Sequence, residues 1–558
     1  MSKSVFLRLR RMVEIMAPIQ ERNFMSKDTE SEFAEAIRSG SASLGVELGS
    51  TRIKACLINQ SGTVLATGSH TWDNDYIEGH WTYCLEDVWS GLRAAYSEVK
   101  ATVEQQTGHG LSRLRSMGVS AMMHGYLPFD VDGKQLVPFR TWRDTYTGEA
   151  AEELSDLFGV NIPMRWSVAH FYQALRAEEP HVGDIKFLTT LAGYVHWQLT
   201  DKKVLGVGDA SGMFPIDPHT GEYDSTALEK FRETTGYDIA ALLPTPLSAG
   251  AEAGVLEHPE LLDPSGDLQS GVALCPPEGD AGTGMVATNA VSVNTGNVSV
   301  GTSIFAMLVH ENPLSQAYPE IDPVTTPTGI PVSMVHCNNG AQEISDWTSL
   351  FSDVAVAFGA KGIDSMDDVY TAILTEALRG EPDGGGVVVY PFRAGEPVAG
   401  LLEGRPMVAR TPNANFTLAN LMRANLYSVF ASLALGMRLL EKEGISVEVI
   451  QAHGGIFRTV GVAQRFLAAA LKTPVAVAES AGEGGAWGIA LLASYMGSEK
   501  DLSDYLNEEI FSGDDATRVR QPDRREIDGF ATYLDRFVSG LEMQEAATRV
   551  LPIDSQED

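Results

Sequence analysis

The stretch Ser43–Gly68, SLGVELGSTRIKACLINQSGTVLATG, decides the fold. Its three apolar runs are separated by the turn-forming groups GSTR and NQSG, so it reads as an antiparallel meander of three short strands. The first turn, Gly49-Ser50-Thr51, offers consecutive backbone N–H groups and short hydroxyls, a concavity that suits an anionic oxygen. Glycine is needed there because a side chain would block approach. Lys54, on the following strand, is grouped with this turn as a candidate for the same anion. Glu47 stands just before the break, and taken alone it is an edge-strand carboxylate facing solvent.

Working outward, LEDVWSGLRAAYSEVKATV puts Val88, Leu92, Ala95, Tyr96, Val99 and Val103 on one helical face. RLRSMGVSAMM is the next strand and ends at His124 and Gly125, so the sheet is expected to be mixed. Residues 140–260 read as helical or loop-like, and strands return between 271 and 310. The same grammar then recurs as strand-turn-strand around Gly301, a long helix at LANLMRANLYSVFASLALGMRLLEKEG, the strand SVEVIQAHGG, the helix VAQRFLAAALK, the strand PVAVAE and the helix GGAWGIALLASYMG. Two α/β halves follow, 41–289 and 290–500. Residues 1–40 precede any strand pattern and are set aside as a poorly ordered extension, with Met25 as an alternative start. Residues 501–558 read as an acidic, helical, solvated tail ending in DSQED.

Length agrees, since 558 residues exceed the roughly 100 to 200 of one ordinary domain. A hydrophobic share of 44% with 21% charged residues is that of a globular protein with a large core. The net charge of -33, from 41 Lys and Arg against 74 Asp and Glu, argues against nucleic acid or an anionic membrane as partner, so any anionic ligand must be held by local groups. Cys56, Cys84, Cys275 and Cys337 lie far apart without a CxxC spacing, which indicates neither disulfides nor a zinc site and fits a reducing cytoplasm. No apolar run reaches 18 residues, and Glu14 interrupts MVEIMAPIQE before it could serve as a signal-peptide core.

Gly301, Thr302 and Ser303 in NVSVGTSIF repeat the Gly-hydroxyl turn at the opening of the second half. One such turn means little, but one in each half points to a phosphate held between them. Beside phosphates, Glu47 is placed to hold Mg²⁺ through water. EGDAGTG carries Asp280 among glycines, either as an ordinary Asp-Gly turn or, with a phosphoryl acceptor nearby, as a base for its hydroxyl. The glycines of AHGGIF and GEGGAWGIA either let a flat ring approach the backbone or permit helix-to-sheet packing.

In this order, from about Leu44 to Gly497, the motifs resemble those of the FGGY family of carbohydrate kinases, in the superfamily that includes hexokinase, actin and the heat-shock chaperones. The resemblance implies two actin-like, ribonuclease H-like α/β domains with mixed sheets flanking a cleft for ATP and sugar. It makes Asp280 the catalytic base and carries Gly454, Gly455 and Gly485 to the nucleotide side. SAMMHGYLPFD is similar to a Met-His-Gly segment of xylulokinases and implicates Met123 and His124 in sugar contacts. TWRDTYTGEAAEEL resembles a Trp-x-Asp-x-Arg segment and retains Asp144, and GHWTY makes Trp81 a candidate wall. Glu47 stands where Asp is usual, Tyr146 where Arg is usual, Ile456 where a third Gly is common, and Tyr427 in place of a frequent Glu, while VAHFYQAL lacks the usual Lys and Trp. These departures bear on the sugar more than on phosphoryl transfer. The expected activity is ATP- and Mg²⁺-dependent phosphorylation of the terminal hydroxyl of a ketopentose, L-ribulose or D-xylulose, by a cytoplasmic enzyme for which the family suggests a homodimer. The alternative is a non-catalytic or regulatory protein of the actin-like ATPase fold.

Overall fold

The structure, a computed structural model, describes residues 27–360, 365–477, 484–512 and 519–552. Part of the stretch set aside as an extension is ordered: α1 (Lys27–Ser39) buries Phe33, Ala36 and Ile37 against the first core. Their i, i+3, i+4 spacing is the apolar face that the reading passed over. Residues 1–26 lie outside the described part, as does DSQED.

The meander forms as β1 (Ser43–Leu48), β2 (Arg52–Ile58) and β3 (Val64–Thr71), all antiparallel. All six residues assigned to one face of α2 (Leu85–Thr107) are buried, and the helix crosses over so that β4 (Ser116–Ala121) pairs parallel with β1. After the helical insertion come β5 (Ala273–Leu274) and β6 (Glu278–Gly279), both parallel to β4, and then α3 (Asp280–Ala287). The sheet order is β5-β4-β1-β2-β3.

The second half opens with the hairpin β7 (Thr295–Val300) and β8 (Ile304–Val309). It continues through β9 (Ile321–Thr325), β10 (Pro331–Cys337), α4 (Leu418–Lys442), β11 (Val449–Gly454), α5 (Val462–Leu471) and β12 (Val475–Val477). Its order, β9-β10-β8-β7-β11-β12, repeats that of the first sheet with one extra edge strand, β9, outside β10. Both sheets therefore combine antiparallel neighbours on one side of the first strand with parallel neighbours on the other.

Two segments depart from their expected places. Helix α6 (Gly484–Tyr495), assigned to the second half, packs on β1, β4 and α3 of the first. The approach is so close that a Cβ on Gly45 of β1 would lie 2.1 Å from the Ala486 carbonyl oxygen. The acidic tail, expected to be solvated, contains α7 (Arg524–Ser539), which buries Phe530, Tyr533, Leu534 and Phe537 in the second core. Its Glu526 accepts from Arg423 at 2.7 Å and from Arg465 at 2.5 Å, so this buried carboxylate is fully paired. Among the described residues no helix is long and apolar enough to cross a membrane.

Candidate active site

A cleft of about 420 Å³ opens between the two sheets. The first half lines it with Glu47, Ser50, Met122, Met123, His124, Trp142, Arg165 and Asp280, and the second with Asn297, Ser303, Phe305, Met307, Met334, His336 and His453. A second cavity, of about 350 Å³, lies on the other side of the Gly301 turn and is lined by Gly301, Thr302, Asp367, Tyr370, Gly455 and Arg458, among others. The turn Gly301–Ser303 is thus shared: Gly301 and Thr302 face one space and Ser303 the other.

The two turns are built alike. Gly49 N donates to Arg52 O at 2.9 Å to close the first, and Gly301 N donates to Ser303 O at 2.9 Å to close the second. The carbonyls behind the first turn are occupied by Trp72, whose Nε1 donates to Gly49 O at 2.8 Å, and by the Tyr83 hydroxyl, 2.7 Å from Ser50 O. The Trp72 and Tyr83 rings stack at 4.4 Å and brace the turn. At the second turn Gly340 N and Ala341 N take the Thr302 and Gly301 carbonyls at 2.7 and 2.8 Å. Thr51 is exposed at the turn. Gly454, with φ +124°, must be glycine, since a Cβ there would lie 2.0 Å from Val300 O at the end of β7.

Glu47 does not face bulk solvent. On β1 it lies in register with Lys54 on one side and Ser120 on the other, and its Oε2 accepts from Ala486 N at 3.3 Å. Burial lifts its carboxyl from 4.5 to about 7, against the pull of Lys54 and with a further push from Asp280. Lys54 is not among the residues lining the cleft; its place is opposite Glu47. Gly485, expected on the nucleotide side, lines the cleft and lets α6 approach this carboxylate, because a Cβ on it would lie 2.4 Å from Glu47 Oε1.

Asp280 is the first residue of α3 and opens into the cleft, with Met123 N donating to its Oδ1 at 3.2 Å. Burial raises its carboxyl to about 6, and the amide bonds from Met123, Ala281 and its own N–H limit the rise. It is therefore ionised at neutral pH while being a stronger base than an exposed aspartate. Behind it lie two fully buried acids that sequence reasoning missed. Glu278 accepts from Gly208 N at 3.2 Å and Asp209 N at 2.9 Å, while Asp209 Oδ2 accepts from the Thr190 hydroxyl at 2.6 Å. Burial pushes Glu278 to about 8 and Asp209 to about 7.

Met123 and His124, after the end of β4, line the cleft. His124 adopts the left-handed φ of +70°, a conformation costly for a residue with a Cβ and found at functional sites. Its ring is buried, with Nδ1 3.3 Å from Gly212 O, and burial followed by the charge of Arg165 keeps the imidazole neutral. Two expectations need correction. Trp81 does not line the cleft; it sits in the hairpin Asp75–Ile77/His80–Thr82, with the Arg143 guanidinium 4.1 Å over its ring, and Trp142 forms the wall instead. Asp144 is buried away from the cleft, its Oδ2 3.0 Å from His80 Nδ1. Tyr146, in the place of the usual Arg, has its hydroxyl bonded by Arg140.

Arg165, Asn297 and His336 also went unread. Asn297 carried a signal, a polar side chain at a buried strand position; its Oδ1 has no partner within the described protein. Among the described residues no group of three or more His, Cys, Asp or Glu converges on a metal site. A hard carboxylate in one cleft with two Gly-hydroxyl turns nevertheless fits Mg²⁺, an ion that keeps its waters and is held by one or two carboxylates plus phosphates.

Paired sheets of one topology, facing across a cleft with a buried carboxylate and a Gly-hydroxyl turn from each half, define a two-domain, actin-like α/β fold. Residues 42–260 match the N-terminal domain and 296–497 the C-terminal domain of the FGGY family of carbohydrate kinases. The chain is 22% identical over 520 residues to the xylulose kinase of Haemophilus influenzae, covering 89% of this chain and 99% of that relative. Similar solved structures include a ligand-bound xylulose kinase from Lactobacillus acidophilus, with a TM-score of 0.74 at 16% identity, covering 91% of this chain and 98% of that one. A gluconate kinase from the same organism has a TM-score of 0.72, also at 16% identity and with the same coverage. The chain belongs to the FGGY family of carbohydrate kinases and is an ATP-dependent sugar kinase.

Proposed function

We propose that the enzyme transfers the γ-phosphoryl group of ATP to the terminal hydroxyl of a ketopentose, L-ribulose first and D-xylulose second. The observation that carries this reading is Asp280, anchored by Met123 N and opening into the one cleft that holds both Ser50 and Ser303. The sugar is seated mainly on residues 41–289, against Met123, His124 and Trp142, and the adenosine of ATP in the cavity of the 290–500 half. Asp280 takes the proton of the terminal hydroxyl as that oxygen attacks the γ-phosphorus in line, and ADP leaves toward the second half. The backbone and hydroxyls of the two turns stabilise the charge on the equatorial oxygens. Mg²⁺, held by the phosphates and through water at Glu47, supplies charge neutralisation. Closure of the halves excludes water that would compete for the phosphoryl group.

The preference for L-ribulose follows from the xylulokinase-like look of the motifs, since some enzymes of that look act on L-ribulose, while Tyr146, Ile456 and the VAHFYQAL segment depart from the family pattern and bear on the sugar. D-Xylulose is favoured by the names of the relatives. We place the enzyme in the cytoplasm, which suits four cysteines set far apart in the sequence without a CxxC spacing, as a homodimer. ADP release measured over L-ribulose, D-xylulose, their enantiomers, glycerol and gluconate tests the assignment. The highest kcat/KM is expected with L-ribulose; a maximum with D-xylulose moves the assignment to the second sugar, and no ketose-stimulated release contradicts both.

A further inference from the structure

We propose that Arg165 positions the acceptor and, as an ion pair with Asp322 reached from the opposite half, selects a neutral polyol over a sugar acid. The inference rests on the reading of the acceptor as a neutral ketose.

Arg165 precedes the helix Ser167–Arg176 and lines the cleft beside His124, Trp142 and Asp280. Its backbone is fixed to the acceptor loop, since its carbonyl accepts from Gly125 N at 3.1 Å. Its guanidinium contacts Asp322 of β9, the edge strand that the second sheet has and the first lacks. The two side chains are 20% and 10% exposed, so the pair is screened far less than a surface bridge. Asn161 fastens the same seam by donating its Nδ2 to Ile321 O at 2.9 Å.

The chemistry follows from charge. Among the described residues lining the cleft, Arg165 is the one side chain with a permanent positive charge. Burial lowers its guanidinium to about 10, which leaves it protonated at neutral pH. The imidazoles of His124 and His336 face it from the two halves and are held neutral by burial and by that same charge. Asp322 cancels the cation, while the guanidinium keeps N–H donors for hydroxyl oxygens. A carboxylate placed here would meet no net positive charge, with Asp280 and Glu47 in the same cleft. Because a gluconate kinase shares this fold, side chains rather than architecture must make the choice. The pair also spans the halves, so the acceptor's donor is in place when the halves are together.

Asp322→Asn keeps the shape and leaves Arg165 uncompensated. Steady-state kinetics with L-ribulose, with L-ribonate as competitive inhibitor, read the result. The expected outcome is a KM for L-ribulose raised on the order of tenfold with kcat little changed, and inhibition by L-ribonate tightened by about tenfold. Unchanged L-ribonate inhibition, whatever happens to Tm, makes the pair merely structural and overturns the proposal. Arg165→Lys keeps the charge and the pair but loses the fork; a several-fold rise in KM with L-ribonate as weak as in the wild type is expected, and a wild-type KM overturns the positioning role. Absence of wild-type turnover with L-ribulose and with D-xylulose would instead sink the acceptor reading and this inference with it, an outcome separate from turnover with unaltered selectivity.

Discussion

Asp280 shows how much the surroundings of one carboxyl change its chemistry. Burial lifts it from 3.8 to about 6, so that it is half protonated near pH 6 and fully available as a base only above that. The free-enzyme profile of kcat/KM is therefore expected to fall on the acid side with a midpoint near 6, about two units above that of an exposed aspartate. A midpoint at 4 or below would show that some other group takes the proton. Asp280, Ser50, Ser303, Met123 and His124 were legible because each sits on a turn or strand end with a local signature. Trp142, Arg165 and His336 were not, because they reach the cleft through loops and sheet packing that no spacing encodes. Trp81 and Asp144 were misplaced for the same reason: the side chain that fills a wall depends on how a surface hairpin docks.

Elements with a clean period were readable, and their partners were not. The apolar face of α2 came out as expected, and so did the meander, because alternation and i, i+4 spacing are local properties. Helix α6 is buried nearly all round, so its sequence marks it as internal without naming the sheet it covers. Helix α7 was taken as solvated because acidic composition masked the spacing of Phe530, Tyr533, Leu534 and Phe537. The seating of α6 on β1 depends on Gly485, where a Cβ would lie 2.4 Å from Glu47 Oε1 and 2.7 Å from the Thr283 hydroxyl. Gly485→Ala is expected to cost about 1 to 3 kcal/mol and to lower kcat by at least about tenfold, as the helix end shifts from Glu47. Thermal melts and turnover of that variant check this; wild-type values for both would show that the contact relaxes freely.

Across the molecule, one sheet topology used twice brings a Gly-hydroxyl turn from each half to one cleft, with Glu47 and Asp280 in the same lining. Several buried carboxyls have raised pKa values: Glu47 and Asp209 at about 7 and Glu278 at about 8, and, beside Asn338 and Asn339, Glu396 at about 7. The folded state thus binds protons that the unfolded chain has released well below pH 7. Stability from these groups is full below their unfolded values and is lost as pH rises through 7 to 8. Between pH 7 and 9 the buried histidines, whose pKa values are lowered, are largely neutral in both states, while the thiols of Cys275 and Cys337, raised by burial, add a slope of the same sign as the carboxyls. Tm is therefore expected to fall from pH 7 to pH 9 and to fall less in Glu278→Gln; a flat or rising wild-type Tm would contradict this. The proposed reaction turns on Asp280 as the base for one hydroxyl, and Asp280→Asn measures that directly. Sugar phosphorylation should drop by a factor on the order of a hundred or more while ATP binding is kept, whereas near-normal turnover would contradict the assignment of Asp280 as the base.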